Sequence, residues 1–286
     1  MSENFESNMS SIAGFSVVSK GDGSSEVVGR SAVEQHRTAA QRAEDPPAQT
    51  ELSAEMLSAA FGPLSLAAVP HLEAVYNRLV KKHSVKVGKR ASAVDRDRIK
   101  GDVPITLVYG EINFISYALT IEKIKNVYGG FDSEQMRTEG IFYDLGSGVG
   151  KAVFASALLL ENFKALRGIE ILPSLHDVAL ELKEKWDAEI VPILPANRVG
   201  TAIELIKGDI LKEDWSDGNL IFINSTCFDD ELMEKIAEKA EDLAPGTLVI
   251  TFTKALPSPS FEILEHETHM QSWGHATVYI MRRLVQ

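Results

Sequence analysis

The residues whose types and spacing best suit chemistry lie together in the stretch I-F-Y-D-L-G-S-G-V-G-K, at positions 141–151. Apolar and aromatic residues lead into Asp144, and glycines follow at alternating positions, Gly146, Gly148 and Gly150. Because glycine has no Cβ atom, such a turn can be tight and can approach a ligand closely. A strand, a glycine turn and a helix form a nucleotide-sized cleft in an open α/β sheet. Alone, this turn allows a dinucleotide, a phosphate or a sulfonium ligand.

A second acid is spaced for the same cleft. Residues 166–172 read L-R-G-I-E-I-L, which predicts a second strand that carries Glu170 near its end. Glu170 follows Gly150 by 20 residues. A nucleoside-binding sheet places the carboxylate that accepts the ribose hydroxyls at about this distance along the chain. The two acids therefore favour a ligand that contains a nucleoside.

Upstream of the glycine turn, the motif Y-G-E occupies positions 109–111. It is predicted to form a turn ahead of a helix over residues 114–126. Two interpretations of Glu111 stay open: its turn folds over the cleft, or the acid only favours the dipole of the helix that follows.

The elements downstream continue to alternate between strands and helices. We predict helices over residues 174–189 and 230–243, a loop over 191–200, and strands over 202–206, 219–224 and 247–252. Runs at 261–266 and 276–281, separated by a turn containing Gly274, predict an antiparallel hairpin at the end. This order differs from a dinucleotide-binding fold. It predicts an α/β protein with a seven-stranded, Rossmann-like class I methyltransferase sheet.

Composition excludes several other classes of protein. The 286 residues are 44% apolar and 24% charged, as in a soluble globular protein with one large core. Cys227 is the only cysteine, so a disulfide within the chain is excluded and a cysteine-based metal site is not expected. His266, His269 and His275 lack a metal-binding spacing, so no metal is predicted. No run is apolar enough to span a membrane and the start is not a signal peptide, so an intracellular protein is expected.

Three segments differ in composition. Residues 1–50 are predicted to be a disordered tail, residues 51–102 an N-terminal helical segment with two short helices and a basic linker, and residues 103–286 the methyltransferase domain. Residues 51–100 hold nine Lys/Arg against five Asp/Glu, whereas the whole chain carries a net charge of −12. The basic stretch from Lys81 to Lys100 keeps two interpretations. It is a solvated linker or helix face, or it contacts an acidic partner or nucleic acid.

Five motifs together resemble the catalytic domain of the disruptor-of-telomeric-silencing family of histone lysine methyltransferases. The resemblance covers roughly residues 103–254 and preserves the order and approximate spacing of the motifs. The motifs are Y-G-E at 109–111, D-L-G-S-G-V-G at 144–150, G-I-E at 168–170, G-D-I-L-K-E-D-W at 208–215 and I-F-I-N-x-x-x-F at 221–228. This family methylates lysine with a class I fold, and the combination is far more specific than the glycine turn alone.

The resemblance implies S-adenosylmethionine as the cofactor. It places the methionine moiety at Asp144 and the neighbouring glycines, the ribose at Glu170, and the adenine at Asp209, with Ile210 packed on the ring. The loop of Tyr109 and Glu111 would close over the cofactor. The residues expected to bind the cofactor are Glu111, Asp144, Gly146, Ser147, Gly148, Gly150, Glu170, Asp209, Ile210 and Asn224.

The resemblance also implies the catalytic positions. Asn224 is expected at the methyl-transfer site, Phe228 in the wall of the channel for the incoming side chain, and Tyr109 as a further catalytic residue. The family substrate is a histone lysine, with nucleosomes as partner, no membrane, and the nucleus as the location.

The chain departs from the family pattern in ways that keep other functions open. Lys151 stands where the family has a neutral residue, and Ser225 and Thr226 replace a second asparagine and an aromatic residue. The acceptor could therefore be a non-histone protein or a small molecule, with a cytoplasmic location, or the chain could be a non-catalytic S-adenosylmethionine-binding scaffold. The basic stretch from Lys81 to Lys100 is the candidate for contact with nucleosomes.

Overall fold

The computed structural model describes residues 15–19, 25–29, 53–61, 67–98, 109–130, 139–161, 163–271 and 274–285. The chain forms two compact units, Met1–Glu51 and Leu52–Gln286. The predicted division at residues 102 and 103 lies outside the described residues.

In the first unit, two strands pair antiparallel, β1 (Phe15–Ser19) and β2 (Ser25–Gly29). They lie within the predicted tail, and the rest of residues 1–50 is outside the described part of the chain. Composition averages over a whole segment, so it did not predict this pair. The pair needs only two short valine-containing runs, since β-branched residues favour strands.

The second unit is built on a seven-stranded sheet in the order β5-β4-β3-β6-β7-β9-β8. The strands β3 to β7 are parallel, and β9 runs antiparallel between β7 and β8. This confirms the predicted class I methyltransferase sheet with its terminal hairpin. The strands are β3 (Gly140–Leu145), β4 (Phe163–Glu170), β5 (Ala202–Lys207), β6 (Leu220–Ile223), β7 (Leu248–Phe252), β8 (Phe261–Gln271) and β9 (Gly274–Arg283).

The helices cover the sheet and pack on one another. They are α1 (Ala54–Ala60), α2 (Val69–Val80), α3 (Val85–Arg96), α4 (Phe114–Val127), α5 (Lys151–Leu159), α6 (Pro173–Lys185), α7 (Ala196–Val199) and α8 (Asp230–Ala240). Two short helices were predicted before Lys82, and α1 and α2 confirm them. Leu72, Val75 and Leu79 of α2 are buried in the same apolar core as the sheet residues Phe142 and Phe222. None of the described helices is long and apolar enough to cross a membrane.

The basic stretch forms a helix rather than a linker. Its described part includes α3, whose small residues Gly88 and Ser92 face inward together with Asp95. The Asp95 carboxylate accepts hydrogen bonds from the backbone N–H of Ser174, at 2.6 Å, and from its hydroxyl, at 2.9 Å, at the start of α6. Because the apolar content of α3 is low, periodicity did not predict it. Residues 99 and 100 lie outside the described part.

Two boundaries differ from the predictions. The segment 191–200, predicted as a loop, holds a 3-10 turn at Val191–Ile193, with a proline in its first turn, and the helix α7, which Pro195 precedes as N-cap. The terminal hairpin is longer than predicted, since β8 extends to Gln271 and β9 begins at Gly274. The extra residues on the edge strand β8 are largely polar and exposed. A prediction based on apolar runs therefore did not include them.

Candidate active site

A cavity of about 560 Å³ opens where β3, β4 and β6 end. This is the edge at which open α/β sheets bind ligands. Its wall brings together every predicted site residue except Gly150. Those residues are Tyr109, Glu111, Asp144, Gly146, Ser147, Gly148, Glu170, Asp209, Ile210, Asn224 and Phe228.

The glycine turn is shaped by its backbone. Gly146 and Gly148 have φ values of +85° and +56°, a region that residues with a Cβ atom rarely adopt. The N–H groups of Gly146 and Ser147 both donate to the carbonyl of Ile169, at 2.9 Å each, which ties the turn to β4. Gly150, at φ +78°, caps the start of α5 and packs near Phe154 instead of facing the cavity.

Asp144 is a buried acid whose charge is not compensated. Only 2% of the residue is exposed, and no described residue donates a hydrogen bond to its carboxylate. Burial, together with the nearby charge of Glu170, raises its pKa well above the ordinary carboxyl value. An unpaired carboxylate in a cavity wall is costly unless a cationic or donor group of a ligand meets it. Asp144 therefore suits a positively charged ligand group.

Glu170 ends β4 with its carboxylate held by the backbone. One oxygen accepts the N–H of Gly148 and the other that of Leu172, each at 2.7 Å. Burial raises the pKa of Glu170, and these backbone hydrogen bonds act against that rise. A carboxylate oxygen can accept more than one hydrogen bond, so both oxygens can also accept from ligand hydroxyls. The position of Glu170 in the cavity wall is consistent with the prediction made from its spacing to Gly150.

A buried ion pair that the sequence did not predict closes one side of the cavity. The ammonium of Lys151 lies 2.6 Å from the carboxylate of Glu111, with side-chain exposures of 8% and 6%. The other Glu111 oxygen accepts the hydroxyl of Tyr109 at 2.8 Å. Lys151 begins α5, where a cation opposes the helix dipole. A lysine at the first position of a helix needs a nearby acid to balance its charge. The position of Lys151 was therefore a signal in the sequence from which a pairing with an acid could have been predicted.

Tyr109 is held between two glycines. A Cβ atom on Gly148 would lie 2.5 Å from its ring, and one on Gly88 in α3 would lie 2.1 Å from it. The ring therefore fills a space that exists because both neighbouring positions, Gly88 and Gly148, lack a Cβ atom. Burial and the adjacent Glu111 raise the pKa of Tyr109 well above its ordinary value, so its hydroxyl stays protonated and donates. Gly88 lies behind this ring and does not line the cavity, and sequence reasoning missed its contact with Tyr109.

Asp209 and Ile210 form the opposite wall. The Asp209 carboxylate accepts the N–H of Leu211 at 3.0 Å, so it stabilises its own turn as well as facing the cavity. The buried indole of Trp215 donates to the carbonyl of Ile210 at 2.8 Å. The tryptophan of the G-D-I-L-K-E-D-W motif thus anchors the turn that carries both residues.

The far end of the cavity follows β6. Asn224 is the first residue after the strand, and Ser225–Cys227 form a 3-10 turn. The Ser225 hydroxyl donates to the carbonyl of Phe252, and the hydroxyl of Thr226 donates to Asn224 Oδ1 at 3.0 Å. Phe228 lies over the glycine turn, since a Cβ atom on Gly146 would be 3.3 Å from its ring.

The three histidines considered for a metal lie on the hairpin strands β8 and β9. His269 Nδ1 is 2.8 Å from the hydroxyl of Ser116, and the ring of His266 lies 5.7 Å from that of Tyr279. In the part of the chain that the structure describes, no group of three or more His, Cys, Asp or Glu side chains could hold a metal ion.

The strand order and the cavity at its edge define a class I methyltransferase fold. Residues 105–276, more than half of the chain, match the family model described as histone methylation protein DOT1. The chain belongs to this family, which confirms the resemblance seen in its motifs.

Relatives in this family are larger than the chain. It is 30% identical over 156 residues to the H3 lysine-79 specific histone-lysine N-methyltransferase of Dictyostelium discoideum, covering 48% of this chain and 8% of the relative. It is 28% identical over 182 residues to the enzyme of the same name from Drosophila melanogaster, covering 62% and 9%. The chain thus spans about a tenth or less of the length of these two curated relatives.

Two solved structures are similar to part of the chain at low sequence identity. A putative RNA methyltransferase from Pyrococcus horikoshii is 12% identical, with a TM-score of 0.45 and coverage of 69% of this chain and 97% of that one. TrmN from Thermus thermophilus is 18% identical, with a TM-score of 0.42 and coverage of 60% and 52%.

Proposed function

We propose that this protein is an S-adenosylmethionine-dependent protein-lysine N-methyltransferase whose acceptor is a histone lysine. The observation that carries the proposal is the cavity itself. A buried carboxylate without a protein partner, Asp144, lies at its base, Glu170 lies beside it, and Asn224 lies at its far end. Membership of the DOT1 family supports the acceptor class, because the curated relatives are named as histone-lysine methyltransferases.

The residues present fit this cofactor. Asp144 and the backbone of Gly146, Ser147 and Gly148 would hold the methionine moiety. The buried negative charge of Asp144 suits the ammonium and the sulfonium of that moiety. Glu170 would accept the ribose hydroxyls, and Asp209 and Ile210 would hold the adenine ring. Glu111 and Tyr109 would close that side of the cavity, with Lys151 holding Glu111. The cofactor, when bound, supplies a methyl group that its sulfonium already activates.

The chain's own residues then have to place the acceptor. Asn224 can orient an amine through its amide without protonating it, and Phe228 can wall the channel. A dry channel disfavours the ammonium form of lysine, so burial itself helps to supply a neutral amine. Most of the rate available to such a site comes from alignment of the reacting atoms. Among the described residues of the cavity wall, no side chain is assigned as a general base for the acceptor.

A second candidate acceptor is favoured by one observation. Ser225 and Thr226 replace the asparagine and aromatic residue of the family pattern, and Thr226 lies in the cavity wall while Ser225 is buried beside it in the turn after β6. A smaller and more polar wall suits a different side chain or a small molecule. The enzyme class is the same under this candidate, and only the acceptor changes.

Incubation of the protein with labelled S-adenosylmethionine and three substrate pools would test the proposal. The pools are nucleosomes, free histones and a cell lysate. We expect label on histone lysine, in the first pool or in the first two. Label only on lysate proteins or small molecules would support the second acceptor, and no label in any pool would point to a scaffold that only binds the cofactor.

The partner contact is proposed for the exposed face of α3. Lys82, just before the helix, and Lys86, Lys89 and Arg90 follow helical spacing on that face, and Lys89 also lines the cavity. A basic face beside the cavity suits nucleosomal DNA, which would place the protein in the nucleus. Binding of this kind weakens steeply with salt.

Reversal of two of these charges, Lys86→Glu and Arg90→Glu, tests that contact. We expect weaker binding to nucleosomes, with a shallower salt dependence, than in wild-type protein. The control is reversal of two exposed lysines on other elements, Lys164 and Lys235. Equal binding by the α3 variant and the control would refute the contact.

A further inference from the structure

A chain of hydroxyl groups reaches Asn224 from a strand that no motif includes. The Thr226 hydroxyl donates to Asn224 Oδ1 at 3.0 Å and lies 3.0 Å from the hydroxyl of Thr253. Thr253 directly follows β7 and lies 27 residues from Thr226 along the chain. A hydroxyl has one proton to donate. Because Thr226 gives its proton to Asn224, Thr253 must donate to Thr226, and the chain of bonds runs in one direction.

Thr253 is held in an unfavourable backbone conformation. Its φ is +71°, and it is the one residue other than glycine with a positive φ among those described. For a β-branched side chain this region is an outlier. The N–H of Thr253 donates to Thr277 at 2.7 Å and that of Lys254 to Phe252 at 2.9 Å, so a tight turn points the Thr253 hydroxyl toward Thr226. Strain of this kind gathers at functional sites, where the surrounding structure enforces it.

Ser225 fixes the two strand ends together. Its buried hydroxyl donates to the carbonyl of Phe252 and lies 3.3 Å from that of Lys254. The turn after β6 and the turn after β7 therefore form one hydrogen-bonded unit. Ser225 and Thr226, two of the three residues that depart from the family pattern, supply hydrogen bonds that build it.

We propose that Thr226 is a positioning residue that fixes the amide of Asn224 for methyl transfer, with Thr253 fixing the hydroxyl of Thr226. The proposal rests on the role given to Asn224 in the proposed function. With one Oδ1 lone pair bound to Thr226, the amide cannot turn over without losing that bond. The second Oδ1 lone pair and the Nδ2 group then keep constant places in the cavity wall, where the acceptor amine must be oriented.

Three variants test this role. Thr226→Val removes the hydroxyl and keeps the shape, and Thr226→Ser keeps the hydroxyl. Thr251→Val is the matched control, since Thr251 is fully buried on β7 and its hydroxyl has no partner among the described residues. We expect Thr226→Val to lower kcat about tenfold, the scale of one lost hydrogen bond in the transition state, while the cofactor Kd stays unchanged. Thr226→Ser and Thr251→Val should keep kcat near that of the wild type.

A readout that does not need activity separates this proposal from the proposed function. The side-chain NH₂ signals of Asn224 in a ¹⁵N–¹H spectrum can be assigned by their loss in Asn224→Ala. We expect these signals to move or broaden in Thr226→Val and to stay in place in Thr226→Ser and Thr251→Val. Unchanged signals in Thr226→Val would overturn the positioning role, even if the enzyme is active. If the Asn224 signals move in Thr226→Val but the wild type methylates no substrate, the positioning of Asn224 by Thr226 is supported and the proposed function is refuted.

Discussion

The two ends of the cavity are built in different ways. At the end proposed to bind the cofactor, called the cofactor end, Asp144, the glycine turn and Glu170 lie on two adjacent parallel strands and the turns that follow them. At the end proposed to receive the acceptor, called the acceptor end, Asn224, Thr226 and Thr253 are joined by side-chain hydrogen bonds between the ends of β6 and β7. The cofactor end is formed largely by the backbone, and its residues follow a pattern that is local in the sequence. The acceptor end depends on individual side chains.

Two of the three departures from the family pattern, Ser225 and Thr226, follow β6, and the third, Lys151, pairs with Glu111 on the other side of the cavity. A site formed by the backbone tolerates few substitutions. Gly146 and Gly148 need positive φ values, and Glu170 needs the backbone N–H groups that donate to its carboxylate. Neighbouring side chains can be exchanged together, and Thr226 in the cavity wall with the buried Ser225 next to it is such a pair. Four substitutions test the contrast, from the largest expected effect to the smallest.

Lys151→Met should have the largest effect on stability. It leaves the Glu111 carboxylate buried without its cation, which costs about 3–5 kcal/mol in comparable pairs. Adding Glu111→Gln should recover much of the loss, since the amide oxygen can still accept from Tyr109. Chemical denaturation of the two single variants and the double variant measures the coupling. Additive losses in the double variant would contradict a stabilising pair, and the exposed Lys235→Met serves as the control with little expected change.

Asp144→Asn should weaken cofactor binding about a hundredfold, the scale of losing one buried charge partner. The same variant should be more stable than the wild type at neutral pH. Because burial raises the pKa of Asp144, the folded chain holds this proton more tightly than the unfolded chain does. The stability that this gives is full below the ordinary carboxyl pKa and is lost as the pH rises toward the raised value.

Calorimetric titration with S-adenosylhomocysteine and thermal melts across pH measure both effects. The exposed Asp242→Asn is the control for the pH series. Tight cofactor binding by Asp144→Asn, or a loss of stability at neutral pH, would show that the carboxylate has a structural role instead.

Gly88→Ala should lower stability by about 1–2 kcal/mol, because the new methyl group overlaps the Tyr109 ring and overpacked sites pay a cost of this size. The control is Gly200→Ala, where an added Cβ atom would have no neighbour within 4 Å. We expect the displaced ring to weaken cofactor binding as well. Equal stability and affinity in the two alanine variants would show that the space for Tyr109 is not needed.

Ser225→Ala should have the smallest effect, a loss of about 1 kcal/mol for the hydrogen bond to β7. Its cofactor affinity should equal that of the wild type, because the acceptor end is separate from the cofactor contacts. A weakened affinity, measured in the same titration, would show that the two ends of the cavity are coupled.

The sequence allowed the sheet to be predicted, together with most of the residues that meet in the cavity at its edge. Asp144, the glycine turn and Glu170 are close along the chain, and strand and helix periodicity places them. The Lys151–Glu111 pair spans 40 residues and the Thr226–Thr253 bond spans 27, so no local pattern reveals them. Gly88 was missed for the same reason, because its need for glycine comes from a ring in another segment.

The most direct test of the account compares methylation by the wild type and by Asn224→Ala. Nucleosomes are incubated with S-adenosylmethionine and each protein, and methylated lysines are quantified by tandem mass spectrometry, with cofactor binding measured in parallel. We predict methyl-lysine on a histone with the wild type, and none above background with Asn224→Ala, whose cofactor affinity should be largely retained because Asn224 is one of ten residues expected to bind the cofactor. Equal methylation by the two proteins, or cofactor binding without any methylated lysine, would contradict the account.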